Sequence, residues 1–290
     1  MLPATVKLCC GISHQHFRNV TGLKKAAMAS IGQEITQLRQ REQHLVSSMW
    51  SHIKHNGHNT WLKNDMAEPK GSSKALKDKE LYYVTQGKKA LQRALEILDQ
   101  QGGWQYEITH TNGDTVSSKV IPEVGKVFKL EAVLDATPKQ LYSELFEKLE
   151  EISTWNPNVS RIQIVKKIDQ NTMVTHEVTS LTPGNLIGQR DFVSIRHCWR
   201  QDSVFCLAGA AIQIESLPPQ NGFVRAEDGP SCIIVKPLGS DKSHFTWLLN
   251  MDLKGWLPKS LVNQALPQAQ ADFVKHLRKK LSMRITSGQR

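Results

Sequence analysis

The sequence predicts an α+β fold in which one curved antiparallel sheet wraps around a long C-terminal α-helix. Three observations carry this. Between Trp256 and Leu281, the residues Leu257, Leu261, Ala265, Ala269, Phe273, Leu277 and Leu281 recur every fourth position, with Val262, Leu266 and Val274 beside them, so one broad apolar face repeats at the helical period. Just ahead of it, Phe245, Trp247, Leu249, Met251 and Leu253 alternate with polar residues, the period of a strand with one buried face. Strand-like runs at 161–168, 172–181, 189–199, 203–214, 231–236 and 243–253 follow one another with no long helical pattern between them. That spacing suits a meander rather than a parallel sheet, which needs crossovers.

The first 33 residues contain Lys7, Arg18, Lys24 and Lys25 and no acid before Glu34, a mitochondrial transit composition; His14, His16 and Arg18 interrupt the apolar core that a secretory signal needs. Ile35, Leu38, Leu45, Met49 and Ile53 suggest a second amphipathic helix. This assigns 1–63 to a targeting presequence and 64–79, with Pro69 and Gly71-Ser72-Ser73, to a linker. The folded domain is expected at 80–284, followed by a disordered tail at 285–290. Leu81, Val84, Leu91, Leu95 and Leu98 define its first helix, ending at Gly102-Gly103. Strands are expected at about 104–110, 116–121 and 126–135, with Asn112-Gly113 as a hairpin turn. Thr137-Pro138-Lys139-Gln140 reads as a capping box opening a helix whose buried stripe is Leu141, Leu145, Leu149 and Ile152. Gly255 and Pro258 mark the turn into the last helix, and Pro267 predicts a bend within it.

Charge and composition exclude several classes. The formal charge of +10 is carried by the ends: residues 1–63 hold eight Lys/Arg against two acids, and 274–290 hold six against none. A nucleic-acid binder places its basic stripe on the folded body, so no nucleic acid is expected; cations at the ends suit contact with an anionic membrane. Five cysteines without CxxC spacing suggest reduced thiols. No nucleotide loop or GxSxG elbow is present, and His176-Glu177 lacks the second histidine of a zinc-protease helix. No enzyme activity, metal or cofactor is expected. What stands out is charge inside apolar strands: Glu177 in MVTHEV, and Arg190, Asp191 and Arg196 in QRDFVSIR. Alternation puts Arg190, Phe192, Ser194 and Arg196 on one face and Asp191, Val193 and Ile195 on the other. If both faces are covered, Arg196 needs a carboxylate, and Glu177 is the candidate; if not, the two form a solvated pair worth under about 1 kcal/mol.

WNPNV at 155–159, GNLIGQRDFVSIR at 184–196, CLAGAA at 206–211, VRAEDGPSCIIV at 224–235 and TWLLNMDLKGWLPKSLVNQAL at 246–266 together resemble the START-domain lipid-transfer family, in particular its mitochondrial sterol carriers. The leader is similar too, and only about 36–80 lies outside the match. The resemblance implies a helix-grip fold with one cholesterol in a tunnel between sheet and C-terminal helix. It also implies a cleavable presequence, and transfer of cholesterol from the outer to the inner mitochondrial membrane for steroid hormone synthesis. By motif, Glu177 and Arg196 match the charge pair inside the tunnel, Arg190 the strand arginine, and Phe273 and Leu277 lid residues facing the sterol, which favours the buried pair. The expected partners are cholesterol, the mitochondrial outer membrane surface and the import machinery, with the protein a monomer. The alternatives are a carrier of another sterol or of phospholipid, and an enzyme on the same fold. Departures from the family pattern are Pro267 in the helix, Asp228 where the pattern has His, and Ser203, preceded by Arg200 alone where two arginines are usual.

The leader is expected to be dispensable for folding. Residues 68–290 should keep the circular dichroism spectrum and sterol affinity of the full chain, and loss of the spectrum on removing 1–67 would place the boundary elsewhere.

Overall fold

A computed structural model describes residues 78–181 and 188–287, with side chains through Met283. The expected presequence, the linker up to residue 77 and most of the loop between Thr182 and Gly188 lie outside the described residues.

Helix α1 spans Asp78–Asp99. Three strands follow, β1 Gln105–Thr109, β2 Thr115–Ile121 and β3 Gly125–Leu134. Gly113 takes φ +91° in the first turn and donates its N–H to His110 O, so the predicted Asn112-Gly113 turn is there. Thr137 caps α2 (Pro138–Tyr142) by accepting from Gln140 N at 3.3 Å, while Gln140 Oε1 accepts from Thr137 N at 2.8 Å. The expected single helix is instead α2, a π-helical turn Ser143–Glu147, a 3-10 turn Leu149–Glu151 and α3 Ile152–Trp155, because Lys148 (φ −107°, ψ 33°) leaves helical geometry. Its stripe of Leu141, Leu145, Leu149 and Ile152 is nonetheless buried.

Next come β4 Val159–Lys167, β5 Thr172–Thr179, β6 Arg190–Gln201 and β7 Val204–Ala211. Two short strands that alternation is too brief to reveal, β8 Val224–Arg225 and β9 Glu227–Asp228, precede β10 Ser231–Leu238 and β11 Lys242–Leu249. The run expected at 243–253 breaks at Asn250, whose side chain donates to Lys126 O, and resumes as β12 Met251–Asp252, paired with β9. Helix α4 spans Lys259–Ser287, reaching three residues into the segment expected as tail.

The main sheet runs β1-β2-β3-β11-β10-β7-β6-β5-β4, antiparallel throughout, with β8 added parallel to β6. Both faces are covered. On the outer face α1 packs on β6 and β7, burying Val84 with Val174, Val193, Ile195 and Ile212. The approach is close: a Cβ at Gly87 would lie 2.6 Å from His197 Cβ, so no larger residue fits without displacing the helix. On the inner face α4 crosses β1–β3 and lays Leu266, Val274, Leu277 and Leu281 on a cluster that includes Phe128 and Leu130. This corrects the expected stripe. Leu261 is 48% exposed, and Ala265 and Ala269 are exposed, because a fourfold spacing drifts about 40° per step on a helix of 3.6 residues per turn. Gln270 takes the buried position between Leu266 and Val274. Trp256 is 77% exposed and precedes the helix, behind a turn in which Lys254 and Gly255 have positive φ.

The C-terminal basic cluster divides. Arg278 is bound to Asp114 by both terminal nitrogens, the Nη2–Oδ1 contact being 2.7 Å, and also donates to Val133 O at 2.8 Å. Lys275 and Lys279 stay exposed. Of the cysteines, Cys198, Cys206 and Cys232 are free and buried, and burial pushes the Cys198 thiol up to about 12.

Arg278 is therefore a clamp between α4 and the β1–β2 turn. Arg278→Gln should destabilise the fold by roughly 1–3 kcal/mol in urea unfolding, since it strands a largely buried carboxylate, and adding Asp114→Asn should restore part of that loss.

Candidate functional site

At the centre of the sheet the inner face does not close. Leu207 of β7, Ile233 of β10 and Trp247 of β11 are register partners in one row, yet each is only half-buried while their flanking neighbours on the same strands are fully buried. From α4, Phe273 enters this region between Trp155 and Trp247, with ring centroids 5.4 and 5.0 Å away. Gln270 Nε2 donates to Trp247 O at 3.1 Å. Gln270 Oε1 and Trp155 Nε1 are buried without hydrogen-bond partners among the described residues. An apolar internal surface with a few unspent polar atoms is what a largely apolar ligand requires.

The polar end of this surface is built by β5 and β6. Thr175 faces Ser194 and Glu177 faces Phe192 across the antiparallel ladder, which puts the charged residues of the two strands within reach of each other. Arg196 Nη2 lies 3.0 Å from Glu177 Oε2, and Arg196 Nε donates to Thr175 Oγ1 at 3.1 Å. The side chains keep 31% and 25% of their surface accessible. Even so, burial pushes the Glu177 carboxyl up despite the opposing pull of Arg196. Asp228 of β9 joins them: its Oδ2 accepts from Ser194 Oγ at 2.6 Å, and burial raises its carboxyl too, against Arg196 and Ser194.

The predicted residues therefore separate. Glu177 and Arg196 meet as expected. Phe273 faces the aromatic part of the internal surface, whereas Leu277 is fully buried in the core behind it. Arg190 lies six residues along β6 from Arg196, and it is a backbone clamp. It donates to the carbonyls of Gly188, Leu253 (3.2 Å) and Lys254 (3.5 Å), holding the turn that leads into α4. Sequence reasoning missed the outer-face counterpart. Asp191, fully buried, receives Arg225 Nε at 3.0 Å, Arg225 Nη2 at 2.8 Å and His176 Nε2 at 2.9 Å. Burial would raise its carboxyl, but the bonds from Arg225 and His176 hold it below the usual range. Arg225 also donates to Leu217 O and Pro218 O, fastening the loop before β8. The signal available was the alternation that set Asp191 and His176 on faces opposite to Arg196 and Glu177. Arg200, three residues before Ser203, lies over the Tyr142 ring at 4.7 Å.

The START domain model matches residues 85–283. The chain is 47% identical over 285 residues to a protein of Danio rerio named steroidogenic acute regulatory protein, mitochondrial, covering 97% of this chain and 96% of that one. The protein of the same name from Salvelinus fontinalis is 48% identical over 284 residues, with coverage of 97% and 96%. Among solved structures, human StAR-related lipid transfer protein 5 superposes with a TM-score of 0.64 at 21% identity, covering 70% of this chain and 98% of that one, which shows the fold.

Glu177 and Asp191 should titrate stability with opposite sign. Glu177 binds its proton more strongly folded than unfolded, so its contribution is full below the ordinary glutamate pKa and is lost as pH rises through the raised value. Asp191 is lowered, so its contribution is present at higher pH and is lost as pH falls through the folded value. Urea unfolding across pH 3–8 (about that window) of wild type, Glu177→Gln and Asp191→Asn should give difference curves sloping in opposite directions.

Proposed function

The chain belongs to the START domain family, and on that premise we propose that it binds one cholesterol between the sheet and α4 and promotes its transfer from the outer to the inner mitochondrial membrane. It is a lipid carrier, not an enzyme. The cholesterol so delivered supplies conversion to pregnenolone in steroid hormone synthesis. The observation that carries this reading is the Glu177–Arg196 pair at one end of an otherwise apolar inner face. A sterol is a rigid apolar plate with a single hydroxyl. It needs a wide apolar surface, here Leu207, Ile233, Trp247 and Phe273, and one place where its hydroxyl can both donate and accept. Arg196 spends Nε on Thr175 and Nη2 on Glu177, and its Nη1 makes no hydrogen bond among the described residues. That nitrogen can donate to the sterol oxygen, directly or through a water.

The relatives' mitochondrial designation and the acid-free basic leader support action at the mitochondrial outer membrane surface, followed by import. Exposed Lys275 and Lys279 on α4 suit approach to an anionic bilayer. Loading requires α4 to loosen. Its apolar contacts, at about 1.5–3 kcal/mol for each fully buried large side chain, hold it shut in water, and an apolar membrane surface can substitute for those contacts.

Mass spectrometry of lipid co-purifying with the full chain should find cholesterol, and fluorescent sterol should be displaced by cholesterol but not by phosphatidylcholine. Arg196→Leu should weaken sterol binding at least tenfold, a loss of about 1.4 kcal/mol. Retention of phospholipid in place of sterol would overturn the assignment.

A further inference from the structure

We propose that Asp228 restricts this site to an uncharged, hydroxyl-bearing lipid and turns away the same ring system when it carries an anionic group. This deepens the sterol-carrier reading and rests on it, but concerns a residue outside the Glu177–Arg196 pair.

The position of Asp228 is built, not incidental. It pairs with Met251 through β9 and β12, and the following Gly229 donates its N–H to Asn250 O at 2.9 Å. A Cβ at Gly229 would fall 1.6 Å from Asn250 Oδ1, so a larger residue there would displace the Asn250 side chain. Asn250 is in turn tied to Lys126 O at 3.2 Å. Over this strap the Asp228 carboxylate receives Ser194 Oγ at 2.6 Å, from the strand position two residues before Arg196 and on the same face.

The charge balance follows from the geometry. Two carboxylates share one guanidinium, and Arg196 is hydrogen-bonded to only one of them, Glu177. The charge on Asp228 is left over, and it adds to the burial that raises Glu177. An arriving anion either meets that excess or forces a carboxyl to take up a proton, and both weaken its binding. A hydroxyl arrives neutral, so it meets no such penalty, and it can accept from Arg196 Nη1 without drawing on the Asp228 charge.

The test titrates full-chain wild type, Asp228→Asn and Asp228→Ser with cholesterol and with cholesteryl sulfate in one detergent-assisted assay at neutral pH. Wild type should bind cholesterol at least about tenfold more tightly than the sulfate. Both variants should narrow that ratio to about threefold or less, chiefly by tightening the sulfate, with cholesterol affinity changed by less than about threefold. Equal affinity of wild type for the two ligands overturns the proposal, whatever the variants do. So does an unchanged ratio in the variants, or a parallel loss of both ligands, which would make Asp228 a purely structural residue. Failure of wild type to bind cholesterol at all would instead sink the carrier reading.

Discussion

A charge enclosed in the middle of β5 or β6 must find its opposite within the protein, while Arg190 at the start of β6 spends its donors on backbone carbonyls instead. An unpaired buried charge costs several kcal/mol, a large share of a typical domain's stability. The inner face answers with Arg196 against Glu177, and the outer face with Asp191 against Arg225 and His176. These pairs also lock the register. A slip of one residue between the strands would turn Glu177 toward Val193 and Ile195 and part His176 from Asp191, breaking both sets of contacts. The polar contacts of the candidate site and the register of its sheet are in this sense the same set.

Much of this was legible in the sequence because the governing signals are local. The alternation in QRDFVSIR sorted Arg196 from Asp191 correctly, since strand periodicity depends on nothing outside the strand. The Thr137 capping box was equally readable, a matter of four consecutive residues. What stayed hidden depends on contacts between distant segments. β8 and β9 have two residues each, too few for a period, so neither Arg225 nor Asp228 announced its partner. Gln270 interrupts the apolar stripe of α4 at a fully buried position, and only the carbonyl of Trp247 across the interface explains a polar residue there. The stripe itself was misplaced because an exact fourfold repeat was followed where the helix turns slightly faster.

The contacts of α4 fall into two groups. Phe273 packs against Trp155 and Trp247, an aromatic cluster whose flat faces would suit the rings of the proposed sterol. Leu277 and Val274 are buried in the core and bind α4 to the sheet. A change at Leu277 therefore acts on the attachment of the helix, whereas one at Phe273 acts on the aromatic cluster of the candidate site.

Arg190 and Arg278 secure the two ends of the last helix, one through the turn that precedes it and the other through Asp114. Between those two anchors lies Pro267, which lacks the N–H that would reach the Asn263 carbonyl, so the hydrogen-bond ladder of α4 is one bond short there. The compliance of α4 is thereby concentrated between its two anchors, in the one stretch where a bend of the rod breaks no backbone bond.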